Sequence, residues 1–492
     1  MLPPTFLDAL EVARKVKVDY VWIDSLCIIQ SGDDGRDFDR ESPKMAQYYQ
    51  HASFVLAGTT VMEPRLFCMR FQNVPSDVVQ MPYRDRHGRR QGHFYVYKRR
   101  QLPHLDYSKA VSESDLLSRG WVFQEFLLSR RFVTFTDFGV FFECATDPPR
   151  NLDNALVDLE HAPAHLRRIM ELKKAFSHSS KDPLSVWYEL VQWYSEMSLT
   201  EPEKDRIVAI AGIAKEYQNI VRKQRSGKCN PDNARLSIAN IYVAGLWLTD
   251  VHYGLLWWRE KIDAERKAIS TAPSWSWASV LTKIKWPPSL GFHTNGCKIL
   301  GLKSGSHEYS LDMTSLWQKR RTKPADVEDL ASEEMLCAFS VNNISASLKI
   351  QGRLQTLLIR EYSWKDRDPD FMKCATNWES SETIESWTAV CSLSAPAYIG
   401  GWATFDQPLN HDAQIGFHEG TMVKALHVST GLCKDFPGWS MGRFRISNPW
   451  LNVLFIECVE GKNCRRIGVG RIFEKDIVDA FFNASEETIE LV

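Results

Sequence analysis

The spacing of apolar residues along this chain changes character twice. Near the start, Phe6, Ala9, Leu10, Ala13 and Val16 fall on one side of a helix that Thr5 can cap. Tyr20 to Ile29 is then apolar at alternate positions of both kinds, which predicts a buried inner strand of a parallel sheet. An acidic, glycine-containing loop (Ser31 to Asp39) leads into a helix through Met45, Tyr48 and Tyr49, capped by Asp39 or Ser42. A strand from Phe54 to Ala57 follows. Helix, strand, helix, strand with short connections predicts a parallel α/β unit with right-handed crossovers. Between Val61 and Val111 the pattern is irregular, and the spacing pairs Val78–Tyr83 with Phe94–Lys98 as a hairpin.

From Ser118 to Cys144 the pattern sharpens. Trp121, Glu125 and Leu128 recur at helical spacing and share a face, while Phe123, Phe126 and Leu127 supply apolar surface. Ser129-Arg130-Arg131 closes this helix with cations in its last turn, where they suit the helix dipole. A strand (Phe132 to Phe135), a turn at Asp137-Phe138-Gly139 and a second strand (Val140 to Cys144) come next. Pro148-Pro149 marks a boundary.

Beyond it the period becomes helical. Asp182-Pro183 opens a helix whose buried stripe is Val186, Trp187, Leu190, Val191 and Tyr194. Thr200-x-x-Glu203 reads as a capping box for another through Ile207, Ile210 and Ile213, and Asp232 caps a third carrying Leu236, Tyr242, Val243 and Leu246. From Lys283 onward the runs become short and separated by turns: Ala346–Gln351, Leu354–Ile359, Met422–Val428, Leu451–Val459 and Arg466–Ile472. These predict a mostly antiparallel β region. Gln318 to Glu334 is charge-rich and aperiodic, and reads as a mobile insertion. The division predicted is an α/β domain over 1–150, a helical segment over 151–282 and a β-rich region over 283–492.

Composition narrows the function more than the fold. The 492 residues carry 60 basic and 61 acidic side chains, so no global field draws the chain to nucleic acid or anionic lipid. The basic cluster Asp85-Arg86-His87-Gly88-Arg89-Arg90 reads as a solvated loop. The most apolar run, Val243 to Trp258, is broken by Asp250, His252 and Gly254, so no membrane span is expected. Eleven scattered cysteines without a CxxC pair predict reduced thiols, a cytoplasmic setting and no disulfide.

Most candidate chemistry dissolves on inspection. Cys27 lies inside an apolar run and reads as a small hydrophobe. His161 and His165 have a metal-pair spacing, but Pro163 between them argues against a helix, and no metal or cofactor is expected. Gly468-Val469-Gly470 lies in a strand-like run, and no P-loop or G-x-S-x-G occurs. Glu125 is different, an acid set among Phe123, Phe126 and Leu127. It is either a half-exposed partner of Arg119, Arg130 or Arg131, or a pocket carboxylate held by aromatic neighbours.

The run RGWVFQEFLLSRR followed by FFEC resembles a signature of the HET domain, the fungal heterokaryon-incompatibility module. YVWIDSLCIIQ at Tyr20 to Gln30 resembles the other hallmark of that family, and ESPKMAQYYQHASFVLAG continues it. LTEPEKDRIVAIAGIA, YVAGLW and APSWSWAS resemble the region that commonly follows a HET domain. The resemblance implies a TIR-like, mainly parallel sheet with flanking helices, and a role in non-self recognition and cell death. TIR domains that hydrolyse NAD carry a Ser-x-x-Trp-Cys-x-x-Glu motif whose Glu is catalytic. Ser118, Trp121 and Glu125 fall at that spacing, with Val122 at the Cys position. By that resemblance Glu125 is the catalytic residue, Ser118 and Trp121 bind substrate, and NAD is the substrate. The other implied role is a non-enzymatic module that associates with itself or with a sensor protein. A strand block like Leu-Ser-x-x-Trp-Gly, usual at the start of HET domains, is not found before the first helix, so the chain is expected to be truncated relative to the family pattern.

Overall fold

A computed structural model describes residues 2–59, 79–96, 102–136, 139–144, 149–151, 157–158, 160–177, 183–226, 242–260, 269, 271–287, 293–304, 307–310, 346–360, 388–394, 396, 399–406, 420–431, 440–441 and 444–492. The fold is mixed α/β and divides into two units. One comprises Met1–Leu190, Met197–Leu199 and Ala209–Arg225; the other comprises Val191–Glu196, Thr200–Val208 and Ser226–Val492.

The first unit opens with α1 (Pro4–Lys15), started by Pro3-Pro4 rather than by a Thr5 cap. Ala9 packs against Phe135 and Val140, but Leu10 and Val16 are exposed, so the buried face is narrower than the spacing predicts. The Tyr20–Ile29 strand is not formed. Tyr20 is 90% exposed, residues 18–23 join no ladder, and Asp24–Cys27 is a single helical turn, α2. Its polar neighbours explain this. Asp24 Oδ1 accepts the Ser25 amide at 2.7 Å, and the Ile29 amide donates to Asp37 Oδ2 at 2.9 Å, so side chains take donors a ladder would need. Cys27 is exposed rather than a core hydrophobe.

α3 (Arg36–His51) starts at Gly35, whose φ of +76° suits glycine, with Asp39 and Ser42 inside the helix rather than capping it. β1 (Val55–Gly58) matches the expected strand. β2 (Val79–Arg84) and β3 (Arg90–Val96) form the expected hairpin. After α4 (Pro103–Tyr107) comes α5 (Gly120–Leu128), where Val122, Phe123, Phe126, Leu127 and Leu128 are buried. Ser129 caps α5, so Arg130 and Arg131 lie beyond it rather than in its last turn. β4 (Arg131–Thr136) and β5 (Gly139–Cys144) pair antiparallel as predicted, though Asp137 and Phe138 lie outside the described residues. β6 (Arg150–Asn151) completes a sheet of order β1-β4-β5-β6. Only β1–β4 is parallel in it; β4–β5 and β5–β6 are antiparallel. The sheet is mixed, where a mainly parallel one is expected.

Beneath α5 lies a buried polar cluster. Lys173, on α6 (Ala164–Ser177), reaches Glu143 Oε2 at 3.3 Å and sits 3.8 Å from the centroid of the Phe126 ring. Tyr107 donates to the other oxygen of Glu143. On α7 (Pro183–Ser195), Val186, Trp187, Leu190, Val191 and Tyr194 are all buried as the spacing predicts. α8 (Pro202–Ser226) begins one residue later than the capping box requires, since the Glu201 carbonyl accepts the Lys204 and Asp205 amides. Its Gly212 faces Gln124 of α5 and Ala46 of α3 so closely that a methyl group there would collide with both.

In the second unit, the helix expected through Leu236 and Leu246 is not seen where it is described. Tyr242–Val243 and Leu246–Trp247 form a two-stranded hairpin instead. Ala244 and Gly245 have φ of +45° and +89°, the turn geometry that matches strand twist. Residues 227–241 lie outside the described residues, as do Gln318 to Glu334. Trp275 and Trp277 are core: both are fully buried, and Trp277 Nε1 donates to the Gly245 carbonyl at 2.8 Å.

Among the described residues the C-terminal β region forms an 11-stranded, largely antiparallel sheet. The expected strands at Ala346 and Leu354 merge into one, Ala346–Arg360. A helix that the pattern did not suggest, Lys475–Asn483, buries Ile477, Val478 and Phe481 against this sheet. Arg466 is wholly buried, paired with Asp406 at 3.1 Å and stacked 3.3 Å from the centroid of Trp257. One expectation is overturned here. Cys458 and Cys464 face each other across adjacent strands, Cα to Cα 4.0 Å, and form a disulfide. Spacing alone hid it, because the hairpin between them, not a CxxC turn, brings them together.

Candidate active site

Glu125 and Trp121 are one helical turn apart on α5 and lie on the same face, both half-buried. Trp121 meets the ring of Phe38 on α3 edge-on, with centroids 5.7 Å apart. Tyr49, also on α3, donates its phenol to Glu125. Trp22 packs on the same helix, 5.1 Å from Tyr48 and 5.5 Å from Tyr49 between centroids. Asp24 follows in α2, close enough for its charge to act on both Glu125 and Tyr49. Carboxylates from two separate elements and a phenol therefore converge beside indole rings.

Electrostatics at this cluster are unusual for a surface acid. Burial pushes the Glu125 carboxyl up to about 7, and the Asp24 charge adds to the rise. The Tyr49 hydrogen bond and the Arg119 charge pull the other way without cancelling it. Burial first, then the Glu125 and Asp24 charges, hold the Tyr49 phenol far above its ordinary value, so it stays a donor. Of the arginines weighed from the sequence, Arg119 acts on Glu125, while Arg131 donates to the Ser53 carbonyl at 3.2 Å. Glu125 is a half-buried carboxyl bonded to Tyr49, with the Asp24 and Arg119 charges both acting on it. A carboxyl that titrates near neutrality can exchange a proton in that range, and its anion can face a developing positive charge.

Ser118 stands apart from this geometry. It is exposed, its hydroxyl donates to the Asp115 carbonyl at 2.7 Å, and its own carbonyl accepts the Ser198 amide at 2.7 Å. The Ser198 carbonyl in turn accepts the Gly120 amide at 2.8 Å, so this segment fixes the start of α5. Asp24 and Tyr49 were not singled out from the sequence. The signal for Asp24 was there: it is the lone acid in the mainly apolar Tyr20–Gln30 block. Tyr49 gave none, because it reads as one more residue on an apolar helix face.

Elsewhere, His161 Nδ1 lies 2.7 Å from Asp158, whereas His165 lies 3.4 Å from Glu113. Among the described residues no group of three or more His, Cys, Asp or Glu side chains is placed to hold a metal ion. No helix among them is long and apolar enough to cross a membrane.

Residues 1–125 match the family model described as Heterokaryon incompatibility protein (HET), so the resemblance carried by the sequence blocks is borne out over that stretch. The match contains Asp24, Tyr49, Arg119 and Trp121 and ends on Glu125; the runs near Thr200, Tyr242 and Ala272 lie outside it. No curated protein and no solved structure matches the chain.

Proposed function

We propose that this chain is a fungal heterokaryon-incompatibility effector that promotes cell death by cleaving NAD at the Asp24–Tyr49–Glu125 cluster. The observation that carries the proposal is the half-buried Glu125, on one helix face with Trp121 and hydrogen-bonded by Tyr49, which itself packs on Trp22. In this reaction the bond between nicotinamide nitrogen and ribose C1′ breaks, and the electron pair leaves with nicotinamide as the neutral base. Water bonds to C1′ and releases a proton. The ribose passes through an oxocarbenium-like state, which a carboxylate stabilises more than it stabilises the ground state. Glu125 supplies that anion, Asp24 adds to the negative field, Tyr49 orients Glu125, and Trp121 offers a flat face to a base. The TIR-like reading of the fold belongs to this proposal; what supports it is the parallel pairing of β1 with β4, the strand that follows α5.

The purified 492-residue chain incubated with NAD should release nicotinamide. Glu125→Gln keeps the shape and removes the charge, and should lower release by about a hundredfold, the scale of losing one electrostatic stabiliser. Overexpression toxicity should fall with it at unchanged protein level. Wild-type protein that releases no nicotinamide, or toxicity undiminished in Glu125→Gln, would leave the non-enzymatic signalling module as the better reading.

A further inference from the structure

The β2–β3 hairpin is exposed at nearly every strand position. Its register sets Val79 opposite Val96, Met81 opposite Phe94 and Tyr83 opposite Gly92. Opposite residues share a face, so Val79, Met81, Tyr83, Phe94 and Val96 form one continuous apolar face, each residue 42–58% exposed. The other face carries Gln80, Pro82, Arg84, Arg90, His93 and Tyr95, with the Arg90 guanidinium against the His93 ring.

At the tip, Asp85 Oδ1 accepts the backbone amides of His87 at 2.9 Å and Arg89 at 2.8 Å. The single acid of the hairpin is thereby committed to the turn, and Arg84, Arg86, Arg89 and Arg90 remain as a local positive concentration on a chain of net charge −1.

We propose that this hairpin is a peripheral docking surface for an anionic lipid bilayer. The apolar face enters the interfacial region, and the arginines of the tip and the opposite face lie among the headgroups. Amphipathic separation with arginine on the polar side is the pattern that interfacial elements use, and anionic headgroups reward each arginine brought near them. A second copy stacked face to face would cover the apolar face but turn both arginine faces outward, with no anionic partner for them. Pro82 cannot donate to a neighbouring strand, which makes the β2 edge a poor template for pairing. A nucleic-acid strand would use the other face, where Tyr95 joins Arg84, Arg90 and His93, and would leave the apolar face uncovered.

The test is flotation of the full chain with vesicles of phosphatidylcholine plus phosphatidylserine, against phosphatidylcholine alone. Binding should require phosphatidylserine and weaken as salt is raised. Met81→Asp with Phe94→Asp should abolish it, and Arg86→Ser with Arg89→Ser should weaken it about tenfold. All of these positions are exposed, so circular dichroism and melting temperature should not change. Absence of flotation, equal flotation on phosphatidylcholine alone, or undiminished flotation of the Met81/Phe94 variant would overturn the proposal. A dimer that the same variant splits, without flotation, would overturn it in favour of a second copy. Retention of duplex DNA through Arg86 and Arg89, without flotation, would do so in favour of nucleic acid.

Discussion

Burial and Asp24 hold the Glu125 carboxyl at about 7 against 4.5 for the free group, so folding takes up a proton there between those values. The native state then binds more protons than the unfolded one, and stability falls as pH rises through that window. The loss persists above it, where Glu125 is charged in both states. Glu125→Gln stays neutral throughout. Its melting temperature relative to wild type should therefore rise between pH 5 and pH 8, with the gain largest on the alkaline side. Asp24→Asn removes one cause of the raised value and should shrink the pH-dependent part. A Glu125→Gln variant less stable than wild type at pH 8 would restore the structural ion-pair role. At this scale the sequence showed the acid and its aromatic setting but not its partners. Tyr49 and Asp24 come from α3 and α2, and no local spacing links them to α5.

Among the elements, α5 is the one whose surroundings explain its composition. It is apolar almost all round because the Phe126 side rests over Lys173 while the Gln124 side meets α8 at Gly212. Gly212→Ala should cost about 1–3 kcal/mol in urea unfolding, the usual scale of overpacking, because Gln124 and Ala46 must both give way. A neutral result would mean that the three helices separate more readily than their packing suggests. α5, β4, β5 and the hairpin were legible because each has a clean period and clear turn signals. Two apolar runs were misread for the same reason: Tyr20–Ile29 and Tyr242–Leu246 lack a decisive period. Asp24 decides the first by binding backbone locally, and the positive φ at Ala244 and Gly245 decides the second.

For the whole molecule, the β-rich C-terminal region was legible as a class but not in its staples. The Cys458–Cys464 disulfide closes a short loop, sequence separation 6, so chain entropy puts its contribution near 2 kcal/mol. Thermal unfolding in reductant should show a lower midpoint than without it. An unchanged midpoint would mean that the bond adds nothing to stability. The buried Arg466 was equally hidden, since its partner Asp406 is 60 residues away in the chain.

The route of the backbone through the first unit sets where this protein can be cut. β1, inside the HET-matched stretch 1–125, finds its only ladder partner among the described residues in β4, which lies after that stretch. α5 is likewise supported by Lys173 and Gly212, still further along. A dissection that follows the family boundary would strip away a strand neighbour and the supports of α5 while leaving Glu125 at a frayed terminus. A recombinant 1–125 fragment should therefore give poorly dispersed amide NMR signals and be cleared quickly by trypsin, whereas the same stretch within the 492-residue chain should resist digestion. Silence of the short fragment in a toxicity screen would then report on foldability and say nothing of the chemistry.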